Sequence, residues 1–155
     1  MRISDILQPQ CVRAPLPATD KQQVIFSMVD LLADSGNIDD REAMKQAVWQ
    51  RELSRTTGIG YGVAIPHGKC ASCKKLCIAV AKLDKPVDFG SDDGRPVDLI
   101  FLLGSPLDQT GPHIQALAGI SRMLTEPGFR MAVKNVKSAE ELYKLIVDQE
   151  AKGTA

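Results

Sequence analysis

The sequence predicts an α/β or α+β domain in which helices cover a sheet, and three observations carry that reading. Segments with helical spacing of apolar residues interleave with short apolar runs, which is the pattern of a layered fold. The run from Val97 to Leu103 is almost continuously apolar, as suits a central strand covered on both faces. The 155 residues suit one domain with a self-standing core.

The elements follow in chain order. Thr19 with Gln22 forms a capping-box pattern, and Val24, Ile25, Met28, Val29, Leu31 and Leu32 then repeat on one helical face up to Ser35-Gly36. Asp39 with Glu42 suggests a second capped helix, with Ala43, Ala47 and Val48 on one side. The stretch from Ser54 to Gly62 is a loop by composition. Val63-Ala64-Ile65 is a short apolar run stopped by Pro66, and Cys77 to Ala81 reads as a strand. Asp93-Gly94 marks a turn before the central strand. Pro112 suits the first position of a helix running to about Leu124, and Glu126-Pro127-Gly128 breaks the chain. A short helix spans the region of Phe129 to Lys134. Ser138 with Glu141 caps a last helix carrying Leu142, Leu145, Ile146 and Gln149, and the tail 151–155 is expected to fray.

Composition excludes several functions. Lys and Arg number 19 and so do Asp and Glu, so the basic excess of a nucleic-acid binder is missing. Aromatic residues are 5% of the chain, too sparse for base-stacking platforms. No apolar stretch approaches the roughly 20 residues a membrane helix needs, so no membrane insertion is expected. Met1 to Asp5 lacks signal-peptide character, which predicts a cytoplasmic protein with mostly reduced cysteines.

Two histidines are candidates for chemistry. His67 closes the run Gly58-Ile59-Gly60-Tyr61-Gly62-Val63-Ala64-Ile65-Pro66-His67-Gly68, at the end of a short strand and flanked by Pro and Gly. His113 follows Gly111-Pro112 at a predicted helix start. An unprotonated imidazole nitrogen is a competent nucleophile at neutral pH. Arg51 and Arg55, with Ser54, Thr56 and Thr57, sketch an anion site beside the glycine run. That run is not a dinucleotide fingerprint, because position 63 is Val and the run precedes a strand. Nor is it a Walker A loop, since Cys70 stands where Ser or Thr belongs.

The cysteines offer a rival. His67, Cys70, Cys73 and Cys77 spell H-x2-C-x2-C-x3-C, all residue types that bind zinc. Structural zinc sites usually join two ligand pairs across a longer loop, whereas these four crowd into eleven residues. Reduced loop and core thiols are therefore the favoured reading.

The stretch from Arg51-Glu52 through Thr57-Gly58-Ile59-Gly60 to Ala64-Ile65-Pro66-His67-Gly68 closely resembles the signature of enzyme IIA of the bacterial phosphotransferase system, fructose/mannitol class. Ser4-Asp5-Ile6-Leu7, Pro86 to Phe89, Pro96 to Leu103, His113 with Leu117-Ala118, and Ser138 to Tyr143 extend the resemblance over nearly all of residues 1–155, as one type-2 domain. The Cys70 to Lys75 segment departs from the family pattern. The resemblance implies a mixed sheet of about five strands with helices on both faces. It implies a phosphohistidine carrier in which His67 accepts phosphoryl from an HPr-type carrier, with His113 as active-site neighbour and Arg51 as a phosphate-stabilising group. No cofactor or metal is called for. The chain looks nearest to nitrogen-type regulators, whose partners would be regulatory protein targets. Two alternatives stand beside this: a stand-alone subunit for sugar uptake that passes phosphoryl to enzyme IIB, and a metal- or redox-responsive binding module built on Cys70, Cys73 and Cys77.

Overall fold

A computed structural model describes residues 2–153. In chain order the elements are α1 (Ile3–Ile6), β1 (Leu7–Leu16), α2 (Lys21–Asp34), α3 (Arg41–Ser54), β2 (Gly58–Gly60), β3 (Val63–Ala64), β4 (His67–Lys69), β5 (Cys77–Val87), β6 (Val97–Ser105), α4 (Thr110–Leu124), α5 (Pro127–Val133) and α6 (Ala139–Gly153).

The two longest apolar runs make the middle of the sheet. β5 and β6 pair antiparallel, with Val80 opposite Phe101 and Cys77 opposite Gly104. Successive side chains on a strand point to opposite faces, and every residue from Leu99 to Ser105 is buried, so both faces of β6 are covered. β1 lies parallel to β5, while β3 and β4 lie parallel to β6. β2 closes the far edge, antiparallel to β3. The mixed sheet thus has six strands, in the order β1-β5-β6-β3-β2 with β4 beside β6. The extra strand relative to the expected five or so comes from the short pieces around Pro66, which has no N–H to continue the ladder.

The apolar face read for α2 is buried in full, and Gly36 ends the helix with φ +86°. Several helix starts sit one or two residues from their expected places. Asp20 caps α2 through the Gln23 N–H, rather than Thr19. Asp40 caps α3 through the Ala43 N–H, rather than Asp39. Pro112 is the third residue of α4, not the first. Ser138 does accept from the Glu141 N–H as expected. The last helix continues through Gly153, beyond where fraying was expected to begin; Thr154 and Ala155 lie outside the described residues.

Between β2 and β3 the chain reverses over Tyr61 and Gly62, both with positive φ (+61° and +80°). That is the backbone of a two-residue primed turn, where a glycine carries no steric cost but Tyr61 does. Asp93 anchors the turn by accepting the Tyr61 N–H at 2.9 Å.

Candidate functional site

Three elements meet at His67. It opens β4, where its backbone lies opposite Leu103 of β6. The preceding carbonyl of Pro66 accepts the Leu103 N–H at 2.9 Å, so the residue is fixed to the central strand. Its Nδ1 lies 2.8 Å from the Ile65 carbonyl oxygen. A carbonyl only accepts, so Nδ1 carries the proton and donates. Nε2 is then left with its lone pair. Burial pushes the His67 pKa below its ordinary value, and the nearby Arg51 cation lowers it further, outweighing the Ile65 hydrogen bond and Glu52, which act upward. At neutral pH the ring is therefore mainly uncharged.

His113 sits in the first turn of α4, buried at 4% exposure. Its ring stands edge-on to that of His67, with centroids 5.4 Å apart at 64°. Its Nδ1 lies 2.7 Å from Ser105 Oγ. Burial, and then the positive charges His67 and Lys69 would present to it, push its pKa down to about 4. Lys69 itself is held by a bond to Thr110 Oγ1 at the same helix start.

Arg51 lies in the last turn of α3 and donates to the Arg55 carbonyl at 3.0 Å. It shares an open cleft of about 370 Å³ with Arg55, Thr56, Gly58, Ile65 and His67. The structure therefore brings His67 together with both residues expected beside it, Arg51 on the cleft wall and His113 with its ring at an angle to that of His67.

The next residue along, Glu52, turns the other way and is 3% exposed. Its carboxylate accepts the Thr57 N–H at 2.8 Å and the Thr57 hydroxyl, and pairs with Lys21 Nζ at 2.8 Å. Lys21 also donates to the Phe89 carbonyl, as does Thr56 Oγ1. This buried ion pair ties the start of α2, the end of α3 and the glycine loop into one frame. Glu52 was legible only as half of the Arg-Glu pair, and Lys21 and Ser105 carried no local signal at all.

The cysteines do not join the histidine. Cys73 is buried with its Sγ 3.5 Å from Met44 Sδ, Cys77 is buried in β5, and Cys70 Sγ lies 3.1 Å from Ser72 Oγ. Among the described residues, no three His, Cys, Asp or Glu side chains assemble into a group that could hold a metal. Cys73 and Cys77 face each other in the core, and among the described residues neither His67 nor Cys70 completes a group with them.

The site's chemistry agrees with what the chain is similar to. Residues 5–149 match the family model described as phosphoenolpyruvate-dependent sugar phosphotransferase system, EIIA 2. A nitrogen regulatory protein of Bradyrhizobium diazoefficiens is 36% identical over 146 residues, covering 94% of this chain and 95% of the relative. A phosphotransferase-system fructose-specific EIIA component of Haloferax volcanii is 30% identical over 146 residues, covering 94% and 95%. The crystal structure of nitrogen regulatory protein IIA-Ntr from Neisseria meningitidis superposes with a TM-score of 0.85 at 30% identity, covering 93% of this chain and 98% of that one. The family match over residues 5–149, with a relative 36% identical over nearly the full length of both chains, places this chain in the type-2 enzyme IIA family of the phosphoenolpyruvate-dependent sugar phosphotransferase system.

Proposed function

We propose that the protein is a nitrogen-type phosphohistidine carrier: His67 accepts a phosphoryl group through Nε2 from an HPr-type carrier, and the charge state of the site then controls regulatory protein targets in the cytoplasm. The single observation that carries the atom assignment is the 2.8 Å contact from His67 Nδ1 to the Ile65 carbonyl, which leaves Nε2 as the nucleophilic nitrogen. In the transfer the Nε2 lone pair attacks phosphorus in line, the Nε2–P bond forms, and the bond from phosphorus to the donor breaks. Such transfer depends on positioning and charge stabilisation. Arg51 supplies a guanidinium fork on the cleft wall, and His113 supplies a neutral imidazole beside the acceptor ring. Among the described residues no helix is long and apolar enough to cross a membrane, in keeping with a carrier that meets its partners by diffusion.

Nitrogen regulatory relatives at 36% and 34% identity lie above the fructose-specific ones at 32% and 30%, which favours the regulatory reading over a stand-alone sugar-uptake subunit that hands phosphoryl to enzyme IIB. The test is incubation with phosphoenolpyruvate, enzyme I and an HPr-type carrier, followed by intact-mass measurement. One acid-labile phosphoryl group is expected on the native protein and none on His67→Ala. Full labelling of the variant, with the group on His113, would overturn the assignment.

A further inference from the structure

Ser105 closes β6, fully buried, and its backbone lies opposite Lys69, two residues beyond the pairing of Leu103 with His67. Among the described residues its hydroxyl has one hydrogen-bond partner, His113 Nδ1 at 2.7 Å. Two arrangements of that contact are possible, and hydrogen-bond accounting separates them. If Nδ1 carried the proton, Ser105 Oγ would accept and its own O–H would point into the core with no acceptor. A buried donor left unsatisfied costs about 1–3 kcal/mol. If the hydroxyl donates instead, both atoms of the contact are satisfied and the imidazole proton resides on Nε2, which is not among the buried side-chain atoms left without a partner.

We infer that Ser105 is a positioning residue, whose hydroxyl donates to His113 Nδ1 and holds His113 as the Nε2–H tautomer, a hydrogen-bond donor to the phosphoryl group on His67. The inference rests on the phosphocarrier reading of His67. It gives the two rings opposite tautomers. The Ile65 carbonyl keeps the His67 proton on Nδ1 and bares Nε2 for attack. Ser105 keeps the His113 proton on Nε2 and so presents a donor rather than a second lone pair beside the incoming oxygens. Strands β4 and β6 are paired neighbours, so one stretch of ladder sets both rings. Nothing in the sequence around Ser105 marks this role, because its partner lies eight residues on, at the start of the next helix.

The decisive measurement is long-range proton–nitrogen NMR of the histidine rings in the unphosphorylated, nitrogen-15-labelled protein at neutral pH. The expected result is a protonated Nε2 and a pyridine-type Nδ1 on His113, and the reverse on His67. In Ser105→Ala the His113 Nδ1 resonance should move, because it loses its donor. Single-turnover phosphoryl uptake should also slow by about 10-fold, as the donor is less firmly set. A His113 ring protonated on Nδ1 in the native protein would overturn the inference. So would an alanine variant with both the Nδ1 resonance and the uptake rate unchanged. The native tautomer decides the matter even if the variant fails to fold. It also needs no phosphoryl donor, so failure of the carrier reading, seen as no phosphate on His67, is a separate result.

Discussion

The carboxylate of Glu52 accepts both the backbone N–H and the hydroxyl of Thr57, which makes the last turn of α3 and the start of the glycine loop a single piece. Lys21 completes the arrangement from another helix. Removing one partner of a buried pair leaves the other poorly solvated. Glu52→Ala should therefore cost about 2–4 kcal/mol in stability, somewhat under a fully buried pair because Lys21 keeps some solvent access. Denaturant unfolding reads this directly. A change under about 0.5 kcal/mol, the range of ordinary surface substitutions, would show that these contacts contribute nothing to stability.

Gly58 marks the tightest approach in the loop. A Cβ there would lie 2.1 Å from Ser91 Oγ and 3.2 Å from Ser91 Cβ. Gly58→Ala should thus destabilise the protein by about 1–3 kcal/mol, as overpacking does. Adding Ser91→Gly removes both clashing atoms and should recover most of the loss. Equal stability of the single and double variants would mean that the backbone, not Ser91, sets the penalty.

Acid should act through His113. Its folded pKa is about 4, against an ordinary 6.5. Below pH 6.5 the unfolded chain takes up a proton that the folded one refuses, so stability falls as pH drops from about 6.5 towards 4. At pH 5 the contribution is about 2 kcal/mol. Comparing melts at pH 7.5 and 5, the native protein should lose more than His113→Asn does. Identical losses would place the acid sensitivity elsewhere.

Arg51 is expected to set the charge at the cleft as well as to meet phosphate. Its cation is one of the influences lowering the His67 pKa, so Arg51→Gln should move that pKa upward, by less than burial moves it down. An NMR titration of His67 supplies the measurement. In the same variant single-turnover phosphoryl uptake should drop by about 10²-fold, the usual loss for one preorganised charge donor. An unchanged titration and an unchanged rate would remove Arg51 from the site.

The thiols should divide by exposure. Cys70 is half-buried at the surface, whereas Cys11, Cys73 and Cys77 are buried, and burial pushes the Cys11 thiol pKa up. A thiol reagent added to the folded protein should modify Cys70 first, and Cys70→Ser should abolish the fast phase. A fast phase that survives the substitution would contradict this order.

What the sequence revealed follows from range. The apolar faces of α2 and α6 and the runs of β5 and β6 are local patterns, and each forms as expected. His67, His113 and Arg51 were found through motif and family resemblance, and the fold brings them together. β1 escaped notice because Pro9, Pro15 and alternating Gln residues break its apolar pattern, and only parallel pairing with β5 makes it a strand. The helix caps fell one residue away where two cap-competent residues stand side by side, Thr19 with Asp20 and Asp39 with Asp40; local chemistry accepts either, and tertiary packing chooses. The Lys21–Glu52 pair spans 31 positions and Ser105–His113 joins two elements, distances at which one-dimensional spacing is silent.

β3 and β4 share one register on β6. Val63 stands opposite Leu99 and His67 opposite Leu103, an offset of 36 positions that Ile65-Pro66 interrupts without shifting. The backbone of His67 is thus pinned to β6, the strand covered on both faces, while its side chain stays half-buried at the cleft. Moving that backbone would break its pairing with the central strand. On the function proposed above, phosphorylation adds charge at a fixed address, and a partner reads it as an electrostatic match rather than by waiting for a rare shape.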